Sequence, residues 1–326
     1  MPALFAVLVV EAIVLFPSLS KSAASFTAPD PGWFTVAIAA QLVSMRAYAV
    51  VERRMLAAGG PRVSLCKVTA LTYAAHAMSI SLPGGAVASA TYQFRRIRSW
   101  GASVPVAGFA VASSAALSTI AFAMLAVACT ILAGGGGLGS AAVIAVVAAL
   151  VLAAIVVRRR SNTGDLLRAG SYAVRQVNRM MRRAPDAGVE ALERFAHGLT
   201  AIKPRSRDWF AGLSFAMLNW VADLACLFAC CRAVNADGTT LLLVSVAYLA
   251  GMSAASFTVV PGGFGIVDAA MILALTGGGM GTVAATASVV VYRSVSFALV
   301  GALGWIAWGA TTVVERRRLG AAAVVD

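Results

Sequence analysis

The chain has 326 residues, of which 60% are hydrophobic and only 12% are charged, whereas a soluble domain carries about a quarter charged residues. Its mean hydropathy is +0.86, and several apolar runs exceed the roughly 18 residues that mark a membrane-spanning helix. These properties exclude a soluble globular protein. The net charge of +13 is better explained by basic cytoplasmic loops than by nucleic acid, so no nucleic-acid partner is expected.

Long, continuous apolar runs predict an all-α, polytopic membrane protein with six full spans. In chain order these spans cover residues 2–19, 33–51, 104–133, 141–157, 209–231 and 282–313. Two further apolar segments, 65–98 and 240–276, are each interrupted by Pro-Gly-Gly. If the first arm of each interrupted segment crosses the membrane completely, the number of spans rises to eight.

Basic residues determine the predicted topology, because they accumulate in the cytoplasmic loops of membrane proteins. Twenty-two of the 26 Lys and Arg residues lie in 52–67, 95–98, 158–208 and 316–318. The segment 65–98 therefore starts and ends in the cytoplasm. Its second arm has only nine residues before the arginines, about 13 Å of helix, which reaches about half-way across a 30 Å hydrocarbon core. This pattern predicts a re-entrant hairpin that opens to the cytoplasm.

The same reasoning predicts that the segment 240–276 opens to the outer side. Each half then consists of a spanning helix, a re-entrant hairpin and a spanning helix, and the helix at 141–157 inverts the second half. The chain is predicted to have three parts. The first, 1–157, holds the first helix, the first repeat and the linking helix. The second, 158–208, is a basic cytoplasmic loop, and the third, 209–326, holds the inverted second repeat and a basic tail.

The basic loop contains an amphipathic pattern between Leu166 and Arg183, with apolar residues and arginines on different helix faces. A helix of this kind can lie on the anionic inner leaflet of a membrane. The alternative is a cytoplasmic loop that has no specific partner.

The two Pro-Gly-Gly breaks are costly within helices, since Pro lacks a backbone donor and Gly loses the most conformational entropy. In lipid, a broken helix is tolerated where protein or a water-filled cavity covers the freed backbone groups. Matching breaks in two halves of a membrane protein indicate a binding site. Half-helices predicted to begin at Ala86 and Phe264 could receive an anion at their N-termini. The alternative role of these glycines is close helix packing.

Ionisable residues within spans are expensive and indicate function. Asp268 lies one to two turns into the second half-helix, and Arg293 lies about three turns into the last helix. We expect an ion pair between them that holds the second hairpin against the last helix. The alternative to a role in transport is a purely structural ion pair.

Four further residues are candidates, and each has an alternative role. Asn219 and Asp223 share a helix face, and they either line a polar path or satisfy backbone groups freed by the broken hairpin. Arg46 lies near the cytoplasmic end of its span, where its side chain can instead extend to the membrane surface. His76 lies about two turns before Pro83, where transport chemistry competes with a packing role.

The candidate substrate-binding residues are Pro83, Gly84, Gly85, Pro261, Gly262, Gly263, Gly265, Asp268, Arg293, Asn219, Asp223, His76 and Arg46. The sequence contains no Ser-His-Asp arrangement, no nucleotide-binding glycine loop followed by lysine and no metal-ligand cluster. We therefore expect no catalytic residues, no metal, no cofactor and no enzyme activity. The five cysteines are expected to be small apolar helix residues.

These motifs resemble the signatures of the lysylphosphatidylglycerol synthase membrane-region family, over roughly residues 30–312. Its flippase-like members include the N-terminal domain of the bacterial multiple peptide resistance factor. The residues that carry the resemblance are Ser81-Leu82-Pro83-Gly84-Gly85, Tyr92-Gln93-Phe94-Arg95, Trp100-Gly101-Ala102-Ser103, Pro261-Gly262-Gly263-Phe264-Gly265-Ile266-Val267-Asp268, Tyr292-Arg293, Asn219-Trp220 and Asp223.

The sequence departs from the family at some positions. Asp268 stands where the family more often has glutamate, and Ala86 stands where a further glycine-rich stretch is usual. The soluble aminoacyltransferase domain of the bifunctional members is not expected in a chain that ends at Asp326. The resemblance therefore implies lipid translocation and not aminoacyl-lipid synthesis.

The sequence thus predicts a flippase or transporter for a lipid with a polar or anionic headgroup in a bacterial inner membrane. The basic loop and the C-terminus are expected in the cytoplasm, and membrane lipids with anionic headgroups are the expected partners. This reading further predicts a polar cavity where Gly84 and Gly262 approach one another, with Asp268 and Arg293 nearby. The alternatives are a small-solute or ion-coupled secondary transporter and a non-transporting membrane scaffold.

Overall fold

The computed structural model describes residues 29–134, 204–256 and 261–322, together with the single residues 175, 179, 190, 198 and 202. The predicted spans at 2–19 and 141–157 lie outside the described residues, as does most of the basic loop. Of the predicted amphipathic helix, Arg175 and Arg179 are described, and both are helical and exposed.

All regular structure in these ranges is helical, which confirms the predicted all-α class. The first half contributes α1 (Pro31–Ala57), α2 (Leu65–Ser81), α3 (Gly85–Ser99) and α4 (Val104–Leu132). The second half contributes α5 (Ser206–Ala233), α6 (Leu241–Ser256), α7 (Ile266–Gly277), α8 (Thr282–Arg293) and α9 (Val300–Ala322). A 3₁₀ turn, Pro261–Gly263, precedes α7, and a π-helical segment, Ser294–Leu299, joins α8 to α9.

Four of the described helical stretches are long and apolar enough to cross a membrane, and each corresponds to a predicted span. They are Pro31–Ala57, Val104–Leu132, Ser206–Ala233 and Thr282–Val313. By contrast, α2, α6 and α7 have 17, 16 and 12 residues, and so measure about 26, 24 and 18 Å. These lengths fall short of a 30 Å core, as expected for re-entrant arms. The opposite orientation of the two hairpins stays a prediction.

The helix boundaries at the breaks differ from the predicted ones. The arm predicted to begin at Ala86 begins one residue earlier, and the arm predicted to begin at Phe264 begins at Ile266. The second difference has a clear cause, because Gly262, Gly263 and Gly265 all have positive φ angles, of 66°, 66° and 78°. A right-handed helix cannot include left-handed residues, so α7 starts only after the last of them.

The described residues form two compact units. One, here called the hairpin unit, is drawn from Met1–Ala49, Leu65–Gln93 and Leu218–Asp326. The other, here called the second unit, is drawn from Val50–Ser64 and Phe94–Met217. The division predicted at residues 157 and 208 concerns chain order and stays a prediction.

Within the hairpin unit, α9 packs along α2, and α7 packs along α6. Small residues allow α9 and α2 to approach each other closely, as is common in membrane helices. A Cβ atom added at Gly304 would collide with the backbone oxygen of Tyr73 and lie 2.6 Å from Cβ of Ala77. The indole of Trp305 donates to Oγ of Ser81 at 3.4 Å. The last helix is therefore fixed against the first arm of the first hairpin.

Two glycines of α9 provide a matched test of this packing. We expect Gly304→Ala to lower the free energy of unfolding by about 1–3 kcal/mol, because the added methyl group meets backbone that cannot move cheaply. Gly309→Ala meets no atom within 4 Å, and it should preserve or raise stability because alanine favours helix. Unfolding of the purified variants in detergent measures both. Equal effects would contradict the close contact between α2 and α9.

Cysteine labelling tests the predicted topology. In a variant without native cysteines, Ser64→Cys and Ser99→Cys should both react with a membrane-impermeant maleimide from the cytoplasmic side. Asp237→Cys and Gly277→Cys should react from the outer side, since the second hairpin is predicted to open there. All four positions are exposed. Labelling of positions 64 and 99 from opposite sides would disprove the first hairpin.

Candidate functional site

The two hairpin tips line one cavity of about 430 Å³ within the hairpin unit. Gly84 and Gly85 contribute from the first tip, and Gly262 and Gly263 contribute from the second. The structure therefore brings together the two motifs that the sequence separates by some 180 residues. The polar side chains that line the cavity are Gln41, His76, Ser79, Asp223, Tyr292, Arg293 and Ser296.

At the first tip, the chain turns sharply between α2 and α3. Gly84 has a φ of 64°, and its carbonyl accepts from the amides of Val87 and Ala88 at 2.9 and 3.2 Å. A Cβ atom at Gly85 would collide with the backbone oxygen of Ser79. Pro83 is exposed and does not line the cavity. The glycines, and not the proline, thus bring backbone to the cavity at this tip.

At the second tip, glycine makes room for aromatic rings. A Cβ atom at Gly262 would lie 2.5 Å from the ring of Phe297 and 2.9 Å from the ring of Phe264. These two rings pack edge to face with centroids 4.7 Å apart. Gly265 is exposed and lies outside the cavity lining, but its amide donates to Oδ2 of Asp268 at 3.1 Å. Asp268 therefore satisfies one free donor at the start of α7.

The predicted ion pair between Asp268 and Arg293 is formed. Nε of Arg293 lies 2.5 Å from Oδ1 of Asp268, and the side chains are only 12% and 13% exposed, respectively. The guanidinium group also lies over the ring of Phe264, 5.6 Å from its centroid. One arginine thus holds both the first turn of α7 and the aromatic ring that precedes it, which fixes the second tip against α8.

Three polar atoms of cavity-lining residues are buried without a hydrogen-bond partner in the described part of the chain. They are Nη2 of Arg293, Oδ1 of Asp223 and Oε1 of Gln41. Oδ2 of Asp223 accepts from the hydroxyls of Tyr248 and Tyr292 at 2.7 and 3.2 Å. A buried polar atom without a partner costs about 1–3 kcal/mol. One donor and two acceptors are therefore available to a bound molecule.

The sequence profile of the lysylphosphatidylglycerol synthase TM region matches residues 3–304, which is most of the chain. The chain belongs to this family. The matched residues include both tips, the Asp268–Arg293 pair and Asp223. A search of curated proteins gives no significant match. Family membership makes this a lipid-related membrane protein, and it agrees with the resemblance found in the motifs.

Within this family member, the candidate residues separate into two groups. His76 lines the cavity together with Asp223 and Arg293. Asn219, one turn before Asp223, does not line the cavity, because its amide donates to Oγ and to the backbone oxygen of Ser44 at 2.8 and 3.1 Å. It joins α5 to α1. Arg46 is exposed, donates to Oγ1 of Thr69 at 3.2 Å, and also lies outside the cavity.

Sequence reasoning missed two features of the site. Gln41, only 4% exposed, faces the cavity, and its signal is that it is the only amide side chain in the span. The π-helical segment follows Arg293 directly and contributes Ser296 and Phe297 to the cavity. Such segments occur frequently at functional sites, but no sequence pattern announces this one. In the described part of the chain, no group of three metal-ligating side chains is close enough to hold a metal.

A double-mutant cycle tests the ion pair. We expect Asp268→Asn and Arg293→Gln each to cost about 3–5 kcal/mol, since each leaves the other charge buried without its partner. The double variant should cost clearly less than the sum of the two. The measurement is the free energy of unfolding in mixed micelles. Arg46→Gln is the control, and its exposed position should limit its effect to about 0.5 kcal/mol. Additive effects of the two substitutions would contradict a coupled pair.

Proposed function

We propose that this family member is a flippase or transporter that moves a lipid with a polar or anionic headgroup across a bacterial inner membrane. The observation that supports this most directly is the set of unpartnered polar atoms in a cavity at two helix breaks. Buried polar groups in proteins are normally satisfied, so three unsatisfied atoms around one cavity indicate a site for a polar molecule. No chemical step is part of the proposal.

The donor side of the cavity suits a phosphate group. Nη2 of Arg293 is free, and guanidinium groups form strong hydrogen bonds with phosphate. The backbone of Gly85 and Ala86 lines the cavity at the first turn of α3, where amides have no acceptor within the helix and the dipole is positive. A headgroup phosphate in this position would contact both the first hairpin and α8.

The acceptor side of the cavity suits hydroxyl or ammonium groups. Asp268 already balances the charge of Arg293, so Asp223 adds a second carboxylate, which accepts from the hydroxyls of two tyrosines and also interacts with Gln41. Its free oxygen and Oε1 of Gln41 both need donors. A headgroup that carries a donor beside its phosphate would satisfy both sides of the cavity. A volume of about 430 Å³ is within the range of small-molecule sites, so acyl chains would stay in the bilayer.

The second candidate is a small-solute transporter coupled to protons. The observation in its favour is Asp223, because carboxylates within membrane segments often carry protons in transporters. Lipid specificity distinguishes the two candidates. A small-solute transporter would not accelerate lipid movement between leaflets, and neither would a non-transporting scaffold.

A lipid-scrambling assay tests the proposal. The protein is reconstituted into proteoliposomes that contain phosphatidylglycerol or phosphatidylethanolamine with a fluorescent label on the acyl chain, so that the headgroup is unmodified. Quenching of the label by dithionite reports movement of the lipid between leaflets. Wild-type protein should accelerate movement of at least one of these lipids. Gln41→Leu and Asp223→Asn should slow it about tenfold, because each removes a headgroup acceptor worth about 1.5 kcal/mol. Arg293→Ala should abolish movement.

Ser245→Ala is the matched control. Ser245 is buried in the same unit, but its hydroxyl donates to its own helix at Leu241, and it does not line the cavity. Its rate should equal that of the wild type. Equal rates with and without wild-type protein would reject lipid transport. If Ser245→Ala slowed lipid movement as much as the cavity variants do, the cavity would be rejected as the site.

A further inference from the structure

A second cavity, of about 580 Å³, lies within the second unit and is lined by arginines. It shares no lining residue with the cavity at the hairpin tips. Its charged residues come from the end of α1, the loop after it, and the start of α5. They are Arg53, Arg54, Arg62, Arg205, Arg207 and Asp208.

The positive charge of this arginine cavity is barely compensated. The carboxylate of Asp208 accepts from the backbone amide of Arg205 at 3.0 Å. Arg54 lies over the ring of Phe215, 5.6 Å from its centroid. For the other arginines of the cavity, the described residues provide no carboxylate that pairs with the guanidinium group. Among the residues that the structure describes, five cations and one anion therefore surround one space.

This arrangement differs from an ordinary basic loop. The positive-inside rule requires only that cations remain on the cytoplasmic side, and mutual repulsion would favour their spreading apart. Here two segments about 140 residues apart in the sequence bring their arginines to one cavity. The planar guanidinium group binds phosphate oxygens in pairs, which a lysine ammonium cannot do. Several guanidinium groups around one cavity therefore suit an anion that has several phosphate oxygens as hydrogen-bond acceptors.

We propose that the arginine cavity binds a phosphate-bearing anion, which is either the headgroup of an anionic lipid or a soluble phosphate compound. Its position supports both sources. The spanning helix α1 ends at Ala57, beside the cavity, and the flanking loops are predicted to be cytoplasmic. The site is therefore open to both the inner leaflet and the cytosol.

The test uses the full chain in nanodiscs and two probes. Sodium diphosphate is titrated by calorimetry into protein in phosphatidylcholine discs. Separately, native mass spectrometry counts phosphatidylglycerol retained from mixed discs. The variant Arg53→Gln/Arg205→Gln should weaken or reduce binding about tenfold or more, because hydrogen bonds to charged groups are strong. Arg95→Gln/Arg179→Gln removes the same charge from exposed positions outside the cavity, and it should change binding less than twofold.

Each result has a defined meaning. If Arg53→Gln/Arg205→Gln loses only diphosphate binding, the site is supported and its ligand is a soluble phosphate compound. If this variant loses only phosphatidylglycerol binding, the site is supported and its ligand is a lipid headgroup. Equal weakening in both double variants would show a nonspecific charge effect and overturn the proposal. Absence of binding of either probe to the wild type would also overturn it. Because the substituted side chains are exposed, unchanged unfolding temperatures without probe should confirm that the variants fold.

Discussion

Backbone groups freed by a broken helix must find partners when lipid surrounds the protein, and the arrangement of the hairpin unit follows from this constraint. At the second tip, three glycines with left-handed backbone angles precede the start of α7. Asp268 then satisfies a free amide at the start of α7, and Arg293 neutralises Asp268. The second break is thus stabilised by charges that are themselves buried. The tip and the ion pair stabilise one another.

Polar atoms around the tip cavity lack partners in the described part of the chain. The Asp268–Arg293 pair is close to neutral, while Asp223 is held by two buried tyrosines and keeps one oxygen without a partner. Gln41 and Arg293 each keep a free polar atom as well. A polar molecule that satisfied these atoms would recover the free energy lost there. In the proposed function, binding energy would then be directed toward selecting a headgroup, because the site is preorganised by contacts that do not involve the headgroup.

The parts of this structure that the sequence predicts are those governed by hydrophobic length and isolated charge. Four spans were located within a few residues, and Asp268 and Arg293 were paired because few partners exist for a charge in an apolar run. The roles of Asn219 and Arg46 depended on distant neighbours, Ser44 and Thr69, that no local pattern reveals. The predicted start of α7 is wrong because the left-handed backbone of Gly262, Gly263 and Gly265, and not residue type alone, determines where the helix begins.

The π-helical segment has a mechanical consequence. The second hairpin is attached to the helix just before this segment, through Asp268 and Arg293. The first hairpin is attached just after it, through the contact of Gly304 with α2. Ser294–Leu299 is thus the stretch of chain that separates these two attachments. A π-helical turn holds one residue more than an α-helical turn. If this segment became α-helical, the Arg293 side of the helix would rotate by roughly 100° relative to the Gly304 side, and the two tips would change their relative orientation.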